Sequence, residues 1–496
     1  MARQELRGEV REFLAQKPLR MFIGGKWVAS ADEATFQTFD PGSGAALATV
    51  AEGKAADVHR AVQAAKKAFQ QSGWAAMPPR ERAGLLHRLA DLVQQNQEVL
   101  TQLESLDVGK PLAQASGFDI PHVAQTLRWY ADLAAGTPLK KPLAAPGCKA
   151  YQLNKPYGAT AFILPWNFPL LLLGWNLAPS LAAGNTAVIK PAEDTPLTTL
   201  YFCKLVEQAG LPGGVVNVVP GYGHTAGAAL AAHPEIKHMG FTGSPEVGRK
   251  IAAQCGKNLV PVKLELGGKG AAVIFPDTNV EETAEKLLGA LTLNTGQVCC
   301  TATRWLIHED IWNEFVGTAK KKLQSLRIGH GLDPLTQMGP AVSEKQRQRI
   351  LGYIEKGGRQ GAEALLPGGR AELAEYPKGF YVKPALLAGG PENICAKDEI
   401  FGPVAYLMKF RTEDEAVQIV NGIHYGLANS VWTKDADRST RMAEAMVAGN
   451  SWINGHNLFY HGVPYAGCNL SGFGGGVLGP DTYFDYLRPQ SIVVPG

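Results

Sequence analysis

The chain has 496 residues, of which 45% are apolar and 19% are charged, and its formal net charge is +3. This length favours two or three substructures, and the composition is typical of a globular protein rather than a disordered or fibrous one. So small a net charge offers no basic face to a nucleic acid, and we expect no nucleic-acid partner.

The seven cysteines are too few for a disulfide framework, and no paired spacing or neighbouring histidine pair indicates a metal site. Free thiols favour a reducing compartment, so we expect a cytoplasmic protein with no bound metal. The first residues, MARQELRGEVREFLAQ, are charged and amphipathic and lack the apolar centre of a secretory signal.

Helical periodicity runs in three blocks through residues 55–135. Helix-like segments then alternate with short apolar or β-branched runs, which read ATAFIL, TAVIKP, GVVNVVP and IKHMGFTG. Such alternation predicts a parallel sheet with helices on its faces. The stretch Ala161–Gly184 is apolar and nearly long enough to cross a bilayer, but prolines and amides interrupt it. We interpret it as a strand, a turn and a buried helix, and expect no membrane span.

A second alternating block extends from KLELGGKGAAVIF to about residue 450. Its predicted helices are EETAEKLLGALTLNTG, IWNEFVGTAKKKLQSL and EKQRQRILGYIEKG, and its strand candidates are GPVAYLMKF and SWING. The polar stretch around Pro138–Lys155 and the final YLRPQSIVVPG are typical of extended arms.

Two turns between a strand and a helix are candidates for a nucleotide site. GYGHTA, at Gly221–Ala226, matches a G-x-G-x-x-A pattern, and Ser244 in FTGSPEVG can cap a helix whose free N–H groups face an anion. Taken alone, each is equally consistent with a capped turn that binds nothing.

Adjacent thiols, Cys299 and Cys300, lie in TGQVCCTATR shortly after Gly296, which is expected to end the preceding helix. A cysteine held on such a loop becomes a nucleophile where donors or positive charge stabilise its thiolate. The alternative is a buried cysteine that acts as a small apolar residue, and for an isolated cysteine this alternative is favoured.

Pieces along the whole chain together resemble the aldehyde dehydrogenase superfamily, closest to its NAD-dependent, non-acylating members. In order, they are PWNFP, KPAEDTPL, GLPGGVVNVVPGYG, FTGSPEVG, LELGGK, NTGQVCC, EIFGPV and SGFGGG. The resemblance implies an α/β fold with a Rossmann-like parallel-sheet cofactor domain, a second α/β catalytic domain and a small β oligomerisation arm. The implied bounds are 1–136 and 157–264 for the NAD-binding domain, 265–470 for the catalytic domain, and 137–156 and 480–496 for the arm.

The resemblance also implies three catalytic roles. Cys299, two residues after the glutamine, matches the nucleophile, and Cys300 is then a neighbour that lines the site. Glu265 in LELGGK matches the general base, and Asn167 in PWNFP matches the oxyanion residue. The alternative for Glu265 is a buried acid paired with Lys263 or Lys269. The alternative for Asn167 is a turn residue between two prolines.

Cofactor residues carry over in the same way. NAD is expected rather than NADP, since a carboxylate that accepts hydrogen bonds from both ribose hydroxyls repels a 2′-phosphate. Lys190 and Glu193 match the pair at the adenosine ribose. The full set implied by the resemblance is Trp166, Lys190, Glu193, Gly223, Gly243, Ser244, Glu399 and Phe401.

Positions that match the family's substrate tunnel are apolar or aromatic, with no arginine to pair a substrate carboxylate. An aliphatic or aromatic aldehyde is therefore expected rather than a small dicarboxylic semialdehyde. These positions are Leu172, Trp175, Leu293, Asn457, Phe459 and Tyr465, with His122 near the mouth. The alternative is that they only pack the core.

The tail departs most from the family. Cys468 and Asn469 stand where relatives often carry a basic residue, and Gly475 stands where arginine is common. Two other functions remain open: a relative that passes the acyl group to CoA, and a protein that kept the fold without turnover. Assembly into a homodimer or homotetramer through the arms is expected.

Overall fold

Two large sheets organise the protein, which we describe over residues 4–495 in a computed structural model. The first sheet has eight strands. In spatial order they are Lys26–Val28, Met21–Ile23, Val216–Val218, Thr186–Lys190, Ala159–Ile163, His238–Thr242, Val262–Glu265 and Gly472–Phe473. The five from Val216–Val218 to Val262–Glu265 are parallel, and antiparallel strands flank them on both sides.

The order of these strands reverses between Ala159–Ile163 and His238–Thr242. After Ala159–Ile163 the chain adds Thr186–Lys190 and Val216–Val218 on one side of that strand. It then adds His238–Thr242 on the other side. The carboxyl ends of parallel strands meet at one edge, and ligands bind where the strand order reverses. The two loops that follow these strands therefore border the natural crevice of this sheet.

The apolar stretch forms a strand, a turn and a buried helix, as predicted. All residues of the strand Ala159–Ile163 and of the helix Pro169–Ala182 are buried. No helix within residues 4–495 has the length and apolar character that crossing a membrane requires.

The second sheet has seven strands, six of them parallel. In spatial order they are Glu363–Leu366, Ala385–Ala388, Val404–Phe410, Ala302–His308, Gly270–Ile274, Ala428–Trp432 and Asn450–Ile453. The alternation of strands and helices thus correctly predicted parallel sheets in both halves of the chain.

A three-stranded antiparallel sheet lies apart from these two. Its strands are Leu487–Pro495, Cys148–Pro156 and the exposed edge strand Lys140–Leu143. Three strand pairs complete the β structure: Thr35–Phe39 with Ala46–Ala51, Gly369–Arg370 with Val382–Lys383, and Tyr425–Gly426 with Cys468–Asn469.

Helices cover both faces of the large sheets. The α-helices are Gly8–Leu14, Ala55–Gln71, Pro79–Gln95, Gln97–Val108, Leu112–Gln114, Ile120–Gly136, Pro169–Ala182, Leu197–Gln208, Ala228–Ala232, Pro245–Asn258, Val280–Thr292, Trp312–Gln324, Glu344–Arg359, Ile394–Lys397, Glu413–Asn421, Ala436–Ala445 and Pro480–Asp485. Ala115–Asp119 and Gly223–Gly227 are π-helical, and Leu293–Gly296 and Glu309–Ile311 are 3₁₀-helical.

Late segments return to the first sheet. Gly472–Phe473 pairs with Val262–Glu265, and Asn185 ties the start of the last strand to the sheet. The fully buried Asn185 side chain accepts from Gly158 N and donates to the carbonyl oxygens of Ser180 and Tyr486. The functional division into three parts remains a prediction.

We predict that Asn185→Ala destabilises the protein by about 3 kcal/mol, because the buried Gly158 N–H and the buried Tyr486 carbonyl lose this partner, while the Ser180 carbonyl keeps the backbone N–H of residue 185. Asn258→Ala is the matched control, since its amide makes one exposed hydrogen bond. The midpoint of urea unfolding should fall clearly for the first variant and little for the second. Equal shifts would contradict the role given to Asn185.

Candidate active site

A cavity of about 460 Å³ opens between the ends of the two large sheets. It brings together most of the predicted site residues: Trp166, Asn167, Leu172, Trp175, Gly243, Ser244, Leu293, Cys299, Glu399, Phe401, Phe459 and Tyr465. Of the remaining predicted residues, Glu265 and Asn457 lie behind its wall, whereas Lys190, Glu193 and Gly223 form a separate group.

The first sheet contributes the loops at its point of strand reversal. Trp166 and Asn167 follow the strand Ala159–Ile163, and Gly243 and Ser244 follow His238–Thr242. The Ser244 hydroxyl accepts from Val247 N and so caps the 14-residue helix Pro245–Asn258. Its capped N-terminus, with the positive end of the helix dipole, faces the cavity.

The second sheet contributes the loop that carries Cys299. The helix Val280–Thr292 ends at Leu293, and Asn294 and Thr295 then adopt left-handed conformations, with φ of 46° and 59°. Gly296 follows with φ of 71°, and a Cβ there would lie 2.3 Å from the carbonyl carbon of Gly402. Only glycine fits this position, which explains why the loop turns there.

Amide side chains join the two loops. Asn167 Nδ2 donates to the carbonyl of Gln297 at 2.9 Å, and Asn294 Nδ2 donates to the carbonyl of Asn167 at 2.8 Å. Gln297 is itself fixed, because its Oε1 accepts from Val342 N and its Nε2 donates to Asn294 O. An amide N–H₂ has two hydrogens. Asn167 therefore keeps a second N–H for a ligand in the cavity.

Two side chains contact the adjacent thiols. The Tyr465 hydroxyl lies 3.7 Å from Cys299 Sγ, and Cys300 Sγ donates to Asn457 Oδ1 at 3.3 Å. The hydrogen bond with Cys300 raises the pKa of the Cys299 thiol well above its ordinary value, burial raises it further, and Tyr465 opposes both. Cys299 is half-buried and faces the cavity, whereas Cys300 is buried.

A chain of hydrogen bonds fixes the backbone at the thiols. His456 Nε2 lies 2.8 Å from the carbonyl oxygen of Cys300, which can only accept, so Nε2 carries the proton. His456 Nδ1 then accepts from the Ser430 hydroxyl, which in turn accepts from Trp432 Nε1. Burial lowers the pKa of His456 to about 4, so this imidazole is neutral.

Glu265 lies at the carboxyl end of its strand and is 7% exposed. Both of its carboxylate oxygens are buried without a hydrogen-bond partner, and neither Lys263 nor Lys269 forms an ion pair with it within residues 4–495. Burial raises its pKa well above the usual range, while Lys263 lowers it and the nearby Cys299 raises it further. An acid in this state can exchange a proton close to the thiol.

At the opposite end of the cavity, Glu399 Oε1 accepts from Gly268 N at 2.9 Å, and burial raises the Glu399 pKa to about 7. The Phe401 ring meets the edge of Trp166 at a centroid distance of 5.2 Å. Phe401 has φ of 62°, a strained value for an aromatic residue, and Gln346 Nε2 donates to its carbonyl.

Lys190, Glu193 and Gly223 meet beside this crevice. Lys190 is buried and its Nζ lies 2.7 Å from Glu193 Oε2. Gly223 N donates to Glu193 Oε1 at 3.5 Å. The pair with Lys190 lowers the pKa of Glu193 against the effect of burial, which keeps the carboxylate ionised.

Aromatic rings enclose the other end of the cavity. Phe459 lies 5.4 Å from Trp175 and 5.2 Å from Tyr465 between centroids, and Phe118 lies 5.9 Å from Phe459. His122 lies behind this wall and accepts from Trp175 Nε1 at 3.2 Å. Its pKa is lowered to about 3 by burial and by His461. This end is therefore apolar and uncharged.

Sequence reasoning missed several residues of the site, namely Phe118, Gln297, Val298, Gln346, Arg349 and His456. Phe118 enters the cavity from the π-helical turn Ala115–Asp119, and only the glycine at 117 hints at an irregular turn. Gln297 and Val298 lie within the quoted NTGQVCC. Gln346, Arg349 and His456 carry no local signal, because they reach the site only through tertiary packing.

No group of three or more His, Cys, Asp or Glu side chains with the geometry of a metal site occurs within the described part of the chain. The cavity's polar groups are instead amides, hydroxyls, thiols, basic side chains and carboxyls.

Comparisons with known proteins agree with this arrangement. A model of the aldehyde dehydrogenase family matches residues 27–492. The mitochondrial aldehyde dehydrogenase of Homo sapiens is 41% identical over 481 residues, which cover 96% of this chain and 92% of that protein. The mitochondrial benzaldehyde dehydrogenase of Antirrhinum majus is 39% identical over 477 residues, which cover 96% of this chain and 88% of that protein. The NAD+ complex of an aldehyde dehydrogenase from Bacillus cereus has a TM-score of 0.97 at 37% identity and covers 100% of both chains.

We predict that Tyr465→Phe slows alkylation of Cys299 by iodoacetamide about two- to fivefold at pH 8. The Tyr465 hydroxyl lowers the pKa of the Cys299 thiol. Removing this hydroxyl therefore raises the pKa and leaves a smaller fraction of thiolate. Tyr460→Phe, a change at an exposed ring, is the control. Peptide mapping separates Cys299 from Cys300, and faster alkylation of Cys299 in Tyr465→Phe would contradict the prediction.

Proposed function

Because the chain belongs to the aldehyde dehydrogenase family, we propose that it oxidises an aldehyde to the carboxylic acid with NAD, with Cys299 as its nucleophile. The observation that carries this proposal is the cavity itself. Cys299 and Asn167 face it at its centre, an aromatic end lies on one side, and Ser244, Glu399 and Phe401 lie on the other. A thiol, an oxyanion donor and a crevice for a dinucleotide thus converge.

The residues of the crevice fit a dinucleotide. The ionised Glu193 carboxylate can accept from both hydroxyls of an adenosine ribose, the capped helix at Ser244 suits a pyrophosphate, and Glu399 can bind the second ribose. Trp166 and Phe401 offer ring faces beside it. When bound, NAD supplies the acceptor for a hydride.

The first half of the reaction is addition. The thiol proton of Cys299 is first lost to solvent. The Cys299 thiolate then forms a bond to the aldehyde carbon as the carbonyl π bond breaks, and the carbonyl oxygen becomes an oxyanion. The free N–H of Asn167 and the backbone N–H of Cys299 donate to that oxygen, and loss of one such donor typically lowers the rate about 10²–10³-fold. Collapse of this adduct expels the hydride and leaves a thioester on Cys299.

The second half is hydrolysis. Glu265 takes a proton from a water molecule, whose oxygen attacks the thioester carbon and releases the acid and the thiolate. Because burial raises the pKa of Glu265, this carboxyl can both accept and release a proton at moderate pH.

NAD is preferred to NADP because Glu193 repels a 2′-phosphate. Lys190 moderates this preference only slightly, since its ammonium is already paired with Glu193.

We infer that the substrate is an apolar aliphatic or aromatic aldehyde. The aromatic end presents Phe118, Leu172, Trp175, Phe459 and Tyr465 and no basic side chain, so a second carboxylate would find no partner there. The benzaldehyde dehydrogenase among the relatives is in keeping with an aromatic substrate.

We also propose a homodimer or homotetramer in the cytoplasm. The strand Lys140–Leu143 is exposed throughout, and Val493 and Val494, in the other edge strand of the same sheet, are 61% and 49% exposed. An apolar open edge of this kind is normally covered by a partner. All seven cysteines are free thiols, which a reducing compartment preserves.

We predict that Cys299→Ala abolishes NADH formation, whereas Cys300→Ala retains most of it, since Cys299 is half-buried at the cavity while Cys300 is buried and its thiol donates to Asn457. The measurement is absorbance at 340 nm with a panel of aldehydes. The reverse result would reassign the nucleophile, and failure of the unmodified protein with every aldehyde would favour a fold without turnover.

Product analysis tests the fate of the acyl group. The acid should form at the same rate with and without CoA, because Glu265 activates water. Formation of an acyl-CoA would instead favour the acylating alternative.

We predict that Val493→Asp reduces the oligomer, measured by light scattering after gel filtration, because it places a charge in the proposed interface. Val447→Asp is the control, since Val447 is 49% exposed and lies far along the chain from the arms. An unchanged mass for Val493→Asp would contradict this interface.

A further inference from the structure

A buried lysine separates Glu265 from solvent. Lys263 and Glu265 are two residues apart on one strand, so their side chains share a face of the sheet. Lys263 is 1% exposed, yet it carries an ammonium group whose only hydrogen bond within the described chain is to the carbonyl of Gly476, at 3.2 Å. Its Nζ also lies 5.0 Å from the centroid of the Tyr486 ring.

Two carboxyl groups lie near this ammonium. Glu265 shares its face of the strand, and Asp485 Oδ2 lies against Gly475, the neighbour of the Gly476 whose carbonyl accepts from Lys263 Nζ. Both carboxyl groups act to raise the pKa of Lys263. Asp485 ends the helix Pro480–Asp485 and is partly exposed, whereas Glu265 is buried. The three groups therefore form a series of titratable side chains that leads from the cavity wall to the surface.

The atypical glycine-rich loop makes this series possible. A Cβ on Gly475 would lie 2.5 Å from Asp485 Oδ2, so a side chain there would displace that carboxylate. Gly475 also has φ of 112°, which other residues rarely adopt. On the neighbouring strands, Gly240 pairs with Lys263 and Gly472 pairs with Glu265, so neither paired residue places a side chain beside these two.

We propose that Lys263 and Asp485 carry to solvent the proton that Glu265 removes from the hydrolytic water, an inference that rests on the function proposed above. Lys263 Nζ gives one proton to Asp485, which releases it to solvent, and the neutral amine then takes the proton from Glu265. Each group ends in its starting state, and no electron is transferred. Within residues 4–495 Lys263 Nζ forms no ion pair with either carboxylate and is held by one hydrogen bond to a carbonyl, so the flexible four-carbon stem can move Nζ between them.

The charges around Lys263 support this path. Burial lowers the pKa of Lys263 to about 8, although Glu265 and Asp485 both act to raise it, and an amine near neutrality exchanges protons readily. The other titratable groups that face Lys263 or Glu265 are His238, Cys299, Tyr465 and Tyr486. His238 is neutral, because burial and Lys263 lower its pKa to about 3, so it adds no positive charge beside the ammonium.

Pre-steady-state kinetics of the full-length protein with NAD and an aromatic aldehyde test the proposal. Lys263→Met keeps the length of the stem and removes the charge. It should retain a burst of one NADH per site, because acylation does not use Lys263, while the steady-state rate falls at least tenfold at pH 7.5. The pH profile of the steady-state rate should also move to higher pH, because loss of the ammonium raises the pKa of Glu265.

Asp485→Asn provides an independent test at a partly exposed position, should Lys263→Met fail to fold. We expect an intact burst and a steady-state rate about threefold to tenfold lower, while Asp481→Asn, on the exposed face of the same helix, stays unchanged. A steady-state rate and pH profile that equal those of the unmodified protein in either folded variant would overturn the path. An unmodified protein that forms no NADH would instead overturn the proposed function, so the two failures are distinct.

Discussion

Asn167 and Asn294 each donate a side-chain N–H to the backbone of the other's loop, at distances of 2.9 and 2.8 Å. One loop follows a strand of the first sheet, and the other precedes a strand of the second. These reciprocal bonds join the two halves of the protein at the loop that carries Cys299. The positions of the Cys299 sulfur, the Asn167 amide and the crevice relative to one another therefore depend on how the two sheets are joined, and not on either sheet alone.

Backbone strain gathers around the same cavity. Asn294, Thr295, Phe401 and Asn457 all have positive φ, a conformation that costs about 1–3 kcal/mol for each residue other than glycine. Hydrogen bonds from Gln297, Gln346 and the neighbouring amides hold these residues in place. The stable sheets thus support a small region that would not adopt its conformation in isolation.

Much of this arrangement could be predicted from the sequence. The alternation of apolar runs and helical segments predicted the parallel sheets correctly, because strand burial and helix periodicity are local properties. The quoted motifs supplied most residues of the cavity wall. Other features depend on residues far apart in the chain, so local sequence patterns do not predict them. They are the left-handed turn at Asn294, the contact of His456 with Cys300, and the place of Lys263 beside Asp485.

The pairing of Gly472–Phe473 with Val262–Glu265 bears on how the protein is made. During synthesis the first sheet lacks this edge strand until more than two hundred further residues have left the ribosome, since strand 262–265 and strand 472–473 are that far apart in sequence. A nascent chain that ends before Gly472–Phe473 already contains the loops of the first sheet that border the crevice. The strand Val262–Glu265 then still has one edge without a hydrogen-bonded neighbour. The strand that ends at Glu265 thus gains its last neighbour only near the end of translation.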